Sequence, residues 1–228
     1  MRRETTTDVK AVILYGSYGR GDAVSDSDVD VCVFTAIERT SPEEAIRDQL
    51  PNLPNKPLNL VVYSQEAVHA MLDYGSLFLW HIKLEGRVLL GHEYVESLMK
   101  ELKPFVRHHD EIIYHRDLLL DIEDGVNSSW TPNELDLSLL FTISRNTCMI
   151  LCHKRGEPVF GRYECYKTAR RLCPDLPLTS QTFFYLSKWK TIYERLPDPY
   201  ANLPDRNDIQ RLISETKRLL DYGHEHTK

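Results

Sequence analysis

The pattern of the sequence changes near Gly91, and this change limits the folds open to the chain more than any other feature. Before it, short runs rich in Val, Ile, Leu and Tyr alternate with helical segments, and Gly, Asp, Pro or Ser residues bound them. After it, long helical segments follow one another, separated by Pro- and Gly-containing joints. This order predicts two domains, residues 1–91 with an α/β or α+β fold and residues 92–228 as an antiparallel helical bundle.

Strand and cap signals place the individual elements. The predicted strands are 9–15, 29–35, 57–64 and 87–90. The predicted helices of the first domain begin at Ser41, at Ser64 and near Gly75. Those of the second domain span 93–124 with a break near Pro104, 132–155, 163–172, 180–196 and 206–224, and Thr131 and Glu134 are expected to form a capping box at the second of them.

Composition excludes several classes of protein. The chain has 34 acidic and 28 basic side chains, which argues against polynucleotide binding because that affinity comes mainly from neutralising phosphates. No window approaches the roughly 18 uninterrupted apolar residues of a membrane span, and residues 1–8 lack the apolar core of a signal peptide. The five cysteines form no Cys-x-x-Cys motif and suggest reduced, buried thiols. We therefore expect a cytoplasmic protein without a membrane partner.

Positive charge is concentrated in one part of the second domain. The segment from Lys154 to Lys190 holds eight basic residues and three acidic ones. Such a segment is either a solvated helix face or a site for anions, and the sequence leaves both interpretations open.

Two short motifs in the first domain indicate a chemical site. Gly16-Ser17 follows the first strand and opens a helical turn, where backbone N–H groups favour phosphate and glycine allows close approach. Asp28 and Asp30 are two residues apart near the start of the second strand, so their side chains point to one face. Paired carboxylates beside a phosphate cradle can hold Mg²⁺, which takes oxygen ligands from carboxylates, phosphates and water.

Each motif also has an ordinary interpretation. Gly16-Ser17 alone is a common turn. Asp26, Asp28 and Asp30 could begin a calcium loop, but Val31 stands where that loop needs glycine for its sharp turn. Exposed acids in a loop are the other alternative. The two motifs together, each next to a hydrophobic strand, favour a site for metal and phosphate.

Gly16-Ser17, ten intervening residues and Asp28-Val29-Asp30 resemble the signature of the DNA polymerase β-type nucleotidyltransferase superfamily. The segment from Gly75 to Gly91 is similar to the end of its minimal catalytic domain. The resemblance implies an α+β fold, with a small mixed-sheet domain followed by an all-α helical bundle. It also implies ATP or another nucleoside triphosphate as substrate, bound by Gly16, Ser17 and Arg20. Two Mg²⁺ ions on Asp28 and Asp30 would serve the transfer of a nucleoside monophosphate to an acceptor hydroxyl, with release of pyrophosphate.

The helical part is similar in layout to the streptomycin/spectinomycin adenylyltransferases, in which a C-terminal bundle faces the catalytic domain. This similarity implies AMP transfer to a small polar acceptor of aminoglycoside type. It gives nucleotide-binding roles to Arg145 and Arg162, with Lys167 as a nearby substitute, and to Tyr193. It gives acceptor-binding roles to Trp130, Glu134 and Asp136.

One position departs from the superfamily pattern. A third carboxylate is usual on the strand after Asp28 and Asp30, as a metal ligand or general base, and Asn59 occupies that place here. An amide cannot take a proton, and a positioned base contributes about 10²–10⁴-fold in rate. Either another acid substitutes, or the chain is an impaired module that binds a nucleotide or a partner. The acids considered as substitutes are Glu66, Asp110 and Glu111.

Overall fold

The computed structural model describes residues 9–25, 27–36, 43, 46–47, 50, 52–56, 58–128, 133–194 and 201–228. The chain divides into two compact units, Met1–Val106 and Arg107–Lys228. The first unit contains a sheet with helices and the second contains helices, so the predicted α+β class is confirmed.

The first unit is built on a four-stranded mixed sheet. Its strands are β1 (Val9–Tyr15), β2 (Val29–Thr35), β3 (Leu58–Ser64) and β4 (Arg87–Leu90), in the order β3-β2-β1-β4. β1 pairs antiparallel with both β2 and β4, whereas β2 and β3 are parallel. The central strands β1 and β2 are therefore hydrogen-bonded on both sides.

Both faces of this sheet are covered, because successive side chains of a strand point to opposite faces. Ile13 and Phe34 are buried on one face, together with residues of α2 (Gln65–Asp73), α3 (Leu77–Glu85) and α4 (His92–Glu101). Val12, Val31 and Ile46 are buried on the other face. This burial explains why the strands contain few polar residues in their central positions.

Helix caps fix where the helices of the first unit begin. The Ser64 hydroxyl accepts a hydrogen bond from the N–H of Ala67, and the Ser76 hydroxyl accepts one from Leu79. These caps agree with the predicted starts at Ser64 and near Gly75. The helix predicted from Ser41 lies largely outside the described residues, as does Pro57 of the predicted third strand.

The division between the units falls after the predicted domain boundary. α4 follows Gly91, yet its Val95 and Leu98 are buried in the core of the first unit. A short helix named α1 (Gly16–Arg20) completes that unit. Amphipathic sequence predicts that α4 buries one face but does not say against which core, and this explains the later division at Val106.

The second unit is helical throughout its described elements. These are α5 (His108–Asn127), α6 (Glu134–Lys154), α7 (Glu164–Leu172), α8 (Ser180–Glu194) and α9 (Arg206–Thr227). α6 is the central helix and packs against the other four. Phe183 of α8 lies against Phe141 of α6 and stacks on Tyr166 of α7, with ring centroids 5.3 and 4.6 Å away.

α6 is long and apolar enough to cross a membrane, but 72% of that apolar window is buried inside the bundle. This burial is typical of the central helix of a packed domain. The five cysteines are free and buried, as predicted: Cys32, Cys148, Cys152, Cys165 and Cys173.

The predicted capping box at the start of α6 is wrong by two residues. The N-cap is Asn133, whose side chain accepts from the N–H of Asp136, and the Asp136 carboxylate accepts from the N–H of Asn133. Asparagine is as good an N-cap as threonine, so two overlapping cap signals compete in the sequence. Thr131 itself lies outside the described residues.

Candidate functional site

The register of the sheet brings the two predicted motifs together. Tyr15 at the end of β1 is paired with Asp30 in β2, and Asp30 is paired in turn with Asn59 near the start of β3. Gly16 follows Tyr15 directly, and Asp28 immediately precedes β2. The end of β1 and the starts of β2 and β3 therefore meet at one end of the sheet.

Gly16 and Asp30 are in direct contact at this end. Gly16 has a φ of 63°, which L side chains rarely adopt, and a Cβ placed on it would lie 2.2 Å from Asp30 Oδ2. The Asp30 carboxylate thus occupies the space in which any other residue at position 16 would put its side chain. The Gly-Ser turn and Asp30 are therefore adjacent, and the use of Gly16, Ser17, Asp28 and Asp30 as one binding site stays a prediction.

The pKa of the Tyr15 side chain reflects the charges at this end of the sheet. Its phenol is buried, and this burial, followed by the negative charge of Asp30, raises its pKa well above the usual range. The charge of Asp28 acts in the same direction. Both carboxylates thus act on one phenol, which stays neutral at physiological pH. Sequence reasoning missed Tyr15, and the only signal was its position before Gly16.

Asn59 occupies the place of the third carboxylate and contacts the Asp pair. Its Nδ2 donates a hydrogen bond of 2.9 Å to Asp30 Oδ1. The amide therefore presents donor hydrogens to Asp30, where a carboxylate would have added a negative charge.

Residues 3–93 match the family model described as Polymerase beta, Nucleotidyltransferase. This segment is a nucleotidyltransferase domain of the polymerase β type. The match ends at residue 93 and does not extend into the helices of the second unit. A comparison with curated proteins finds no match for the chain.

The acidic residues of the nucleotidyltransferase domain fit a divalent cation that takes some of its ligands from a bound substrate. Asp28 and Asp30 supply two carboxylates at one end of the sheet. Among the described residues, no group of three or more His, Cys, Asp or Glu side chains could hold a metal by itself. Mg²⁺ is commonly bound through one or two carboxylates together with substrate phosphates and water, so this donor set is compatible with it.

A lysine fixes the loop that leads to Asp28. The Lys56 amine donates hydrogen bonds to the backbone oxygens of Ser25 and Ser27, and it lies 5.9 Å from the centre of the Tyr18 ring. Arg47 in turn donates to the backbone oxygen of Lys56. Sequence reasoning missed both cations, because contacts between such distant residues leave no local pattern.

Arg20, a predicted nucleotide-binding residue, is held by two acids of its own domain. Its guanidinium donates to Glu85 at 2.9 Å and to Asp22 at 3.1 Å. Burial alone would lower the pKa of Arg20, but these hydrogen bonds outweigh it and raise the pKa. Glu85 also lies 3.3 Å from His81 Nε2. Arg20 is thereby anchored to α3, and its role toward a nucleotide stays a prediction.

One of the acids considered as substitutes for a third carboxylate, Glu66, lies away from Asn59 within the first unit. Glu66 follows the far end of β3, and a seven-residue strand at about 3.3 Å per residue puts it roughly 20 Å from the start of that strand. Asp110 and Glu111 belong to the second unit, where Asp110 pairs with Arg107 at 3.2 Å.

The two predicted phosphate-binding arginines lie in one region of the second unit. Arg145 donates to the backbone oxygen of Phe160 at 2.7 Å. Arg162, which follows Phe160 by two positions, donates to Thr191 Oγ1 at 2.8 Å. Its guanidinium lies 5.7 Å from the centre of the Phe141 ring.

The remaining predicted nucleotide-binding residues of this unit are exposed. Tyr193, close to Thr191 on α8, has 46% of its surface exposed. Lys167 lies on α7 and pairs with Glu164 at 2.8 Å. Nucleotide binding by the residues of this region stays a prediction.

The structure describes two of the three predicted acceptor-binding residues. Trp130 lies outside the described residues. Glu134 is the first residue of α6, and Asp136 closes the capping box described above. Burial raises the pKa of Asp136, and the hydrogen bond from the Asn133 N–H opposes that shift. The structure thus gives Asp136 a role in holding the helix end, and acceptor binding stays a prediction.

Proposed function

We propose that the chain is a Mg²⁺-dependent nucleotidyltransferase that moves AMP from ATP onto a hydroxyl of a small polar acceptor of aminoglycoside type. The observation that carries the proposal is the contact of the Asp30 carboxylate with Gly16, at the end of the sheet that also holds Asp28. A Gly-Ser turn in contact with one carboxylate, with a second carboxylate two residues away, favours a site for a metal-bound triphosphate. The match of residues 3–93 to the nucleotidyltransferase model supports the same conclusion.

The roles of the residues follow from their chemistry. Gly16, without a side chain, lets the triphosphate approach the backbone, and the Ser17 hydroxyl can donate to a phosphate oxygen. When bound to Asp28 and Asp30, Mg²⁺ would neutralise charge on the reacting phosphate and on the departing pyrophosphate. Tyr15 remains neutral beneath this site, so it adds no charge that would repel the substrate.

The contribution of the second unit belongs to the same proposal. Arg145 and Arg162 are cations held by hydrogen bonds to Phe160 and Thr191, so their guanidinium groups are ordered. Ordered guanidinium groups suit phosphate oxygens, to which they can donate two parallel hydrogen bonds. We assign the acceptor to Trp130, Glu134 and Asp136, and further nucleotide contacts to Lys167 and Tyr193.

A second function is favoured by one specific contact. The Asn59 amide donates to Asp30, so no proton acceptor stands at the place of the usual third carboxylate. A chain of this kind could bind Mg-ATP and transfer nothing, acting as a nucleotide-binding or partner-binding module. Both functions include nucleotide binding, and only the transferase forms a product.

Incubation with labelled ATP, Mg²⁺ and a panel of aminoglycosides and other polyols separates them. The transferase predicts a labelled acceptor, and its loss in Asp28→Ala and in Asp30→Ala. The binding module predicts bound ATP without labelled product, and product formation gained in Asn59→Asp, because the new carboxylate restores a base worth about 10²–10⁴-fold. Turnover that is unchanged in both alanine variants would refute the site itself.

The cellular location forms part of the proposal. The five cysteines are free and buried, and such thiols are typical of reducing compartments. We place the reaction in the cytoplasm, where ATP and Mg²⁺ are plentiful. Because the thiols are buried, we expect them to stay unmodified when the native protein is exposed to oxidising conditions.

A further inference from the structure

A groove in the second unit lies apart from every residue assigned above except Lys167. It has a volume of about 630 Å³ and is bounded by α7, the segment leading into α8, and α9. We call it the α7–α9 groove, and the residues that matter in it are Lys167, Arg170, Arg218, Leu176, Leu178 and Ser180. Small-molecule sites commonly have volumes of about 300–1,000 Å³, so its size suits an organic ligand.

Positive charge dominates the lining of the groove. Lys167, Arg170 and Arg218 all line it, and its described lining contains no Asp or Glu. Lys167 pairs with Glu164, but Arg170 and Arg218 form no ion pair within the described part of the chain. Two arginine side chains thus bring uncompensated charge to one concave surface.

Among the described residues, the cations next to Arg170 and Arg218 in the sequence are paired with acids, unlike these two arginines. Arg171, next to Arg170, pairs with Glu157, and Lys217, next to Arg218, lies 3.5 Å from Glu123. Two basic residues of the segment from Lys154 to Lys190, Lys167 and Arg170, line the groove, and Arg218 of α9 adds a third cation.

Arg170 is also held in position. Its Nη1 donates a 2.7 Å hydrogen bond to the backbone oxygen of Leu176, a residue that lines the groove. An ordered guanidinium loses less conformational entropy on binding an anion than a mobile one. The 15-residue helix α8 begins at Ser180 in the same lining, where the helix dipole also favours negative charge.

The walls between these cations are apolar. Leu176, Pro177 and Leu178 line the groove, and the Tyr166 hydroxyl donates to the Leu178 backbone oxygen, which keeps this segment in place. A ligand that matches both features carries an anionic group on an apolar body. Guanidinium groups donate in a fork that matches phosphate oxygens.

We propose that the α7–α9 groove binds a small phosphate ester, whose phosphate contacts Arg170 and Arg218 and whose organic part lies against Leu176 and Leu178. The groove is built entirely from residues of the second unit, and Arg145 and Arg162 do not line it. Binding there is independent of the nucleotidyltransferase site formed by Asp28 and Asp30.

Titration calorimetry of the full chain with phenyl phosphate, inorganic phosphate and phenol tests this site. Phenyl phosphate should bind more tightly than inorganic phosphate, and phenol should give no measurable heat. The double variant Arg170→Gln/Arg218→Gln should weaken phenyl phosphate binding by about 100-fold, since each charge-assisted contact contributes about tenfold.

The matched control removes two charges from adjacent positions outside the groove. Arg171→Gln/Lys217→Gln has the same net charge as the test variant and should bind phenyl phosphate as the wild type does. Equal weakening in both double variants, or no binding by the wild type, would overturn the proposal. So would loss of binding in Asp28→Ala/Asp30→Ala, because it would place the ligand in the nucleotidyltransferase site. If the protein transfers no AMP from ATP but binds phenyl phosphate in the groove, the proposed function fails and the groove proposal stands.

Discussion

At the scale of single residues, the contact between Gly16 and Asp30 brings the two motifs of the first unit together. The sequence predicts both motifs, because each is local and follows or begins a strand. It cannot predict their contact, which depends on the pairing of Tyr15 with Asp30 across two antiparallel strands. The hydrogen bond from Asn59 to Asp30 is equally a product of strand register.

Replacing Gly16 by alanine tests this contact. The new Cβ would meet Asp30 Oδ2 at 2.2 Å, and the backbone would keep a φ of 63° that costs an L residue about 1–2 kcal/mol. Gly21→Ala is a matched control, because Gly21 has a φ of 81° but nothing lies within 4 Å of its Cβ position. We expect both variants to unfold at lower urea concentration and Gly16→Ala alone to lose ATP binding. Equal ATP affinity in the two variants would contradict the assigned contact.

At the scale of elements, the sequence predicts most boundaries because their signals are local. The strands 9–15, 29–35 and 87–90 agree with β1, β2 and β4, and the Ser64 cap is observed at α2. The predicted start of α6 is wrong, because Thr131 and Asn133 are both good caps and the helix uses Asn133. The packing of α4 against the first unit was not predictable, since its amphipathic pattern does not identify its partner.

The capping box of α6 carries a prediction of its own. Asn133→Ala removes the acceptor of the Asp136 N–H and should lower the free energy of unfolding by about 1 kcal/mol. Glu134→Ala removes a first-turn charge that takes no part in the box, so its effect should be less than half as large. Urea denaturation of the two variants measures the difference, and a larger loss in Glu134→Ala would refute the observed cap.

Two histidines, the buried His115 of α5 and the partly buried His153 of α6, give the bundle a pH dependence. Burial lowers the pKa values of His115 and His153 below the usual value of about 6.5. The unfolded chain then binds protons at a higher pH than the folded chain does, so stability is fully present above about pH 6.5. It should fall as the pH decreases below that value, down to the folded pKa values.

Urea midpoints measured between pH 7.5 and 5 test the sign of this effect. His153→Gln should flatten the dependence, because one of the histidines with a lowered pKa is then absent. A midpoint that rises as the pH falls from 6.5 would contradict the burial of these imidazoles as neutral groups.

At the scale of the whole molecule, the candidate sites of the two units carry opposite charges. The acids at one end of the sheet form the candidate metal site, whereas the second unit concentrates uncompensated cations in the α7–α9 groove. The net charge of −6 conceals this distribution. The sequence reveals the charge excess between Lys154 and Lys190, but only the packing of the helices brings Arg170 of that segment and Arg218 of α9 to one groove.

Calorimetric titration of ATP, with and without Mg²⁺, tests most directly whether the end of the sheet holds a metal-bound nucleotide. We predict that the wild type binds ATP only when Mg²⁺ is present, and that Asp28→Ala/Asp30→Ala abolishes this binding. Asp73→Ala removes an exposed acid of the same unit, paired with Lys103 on the surface, and should bind as the wild type does. Mg²⁺-dependent affinity that survives in Asp28→Ala/Asp30→Ala would contradict the assignment of the site.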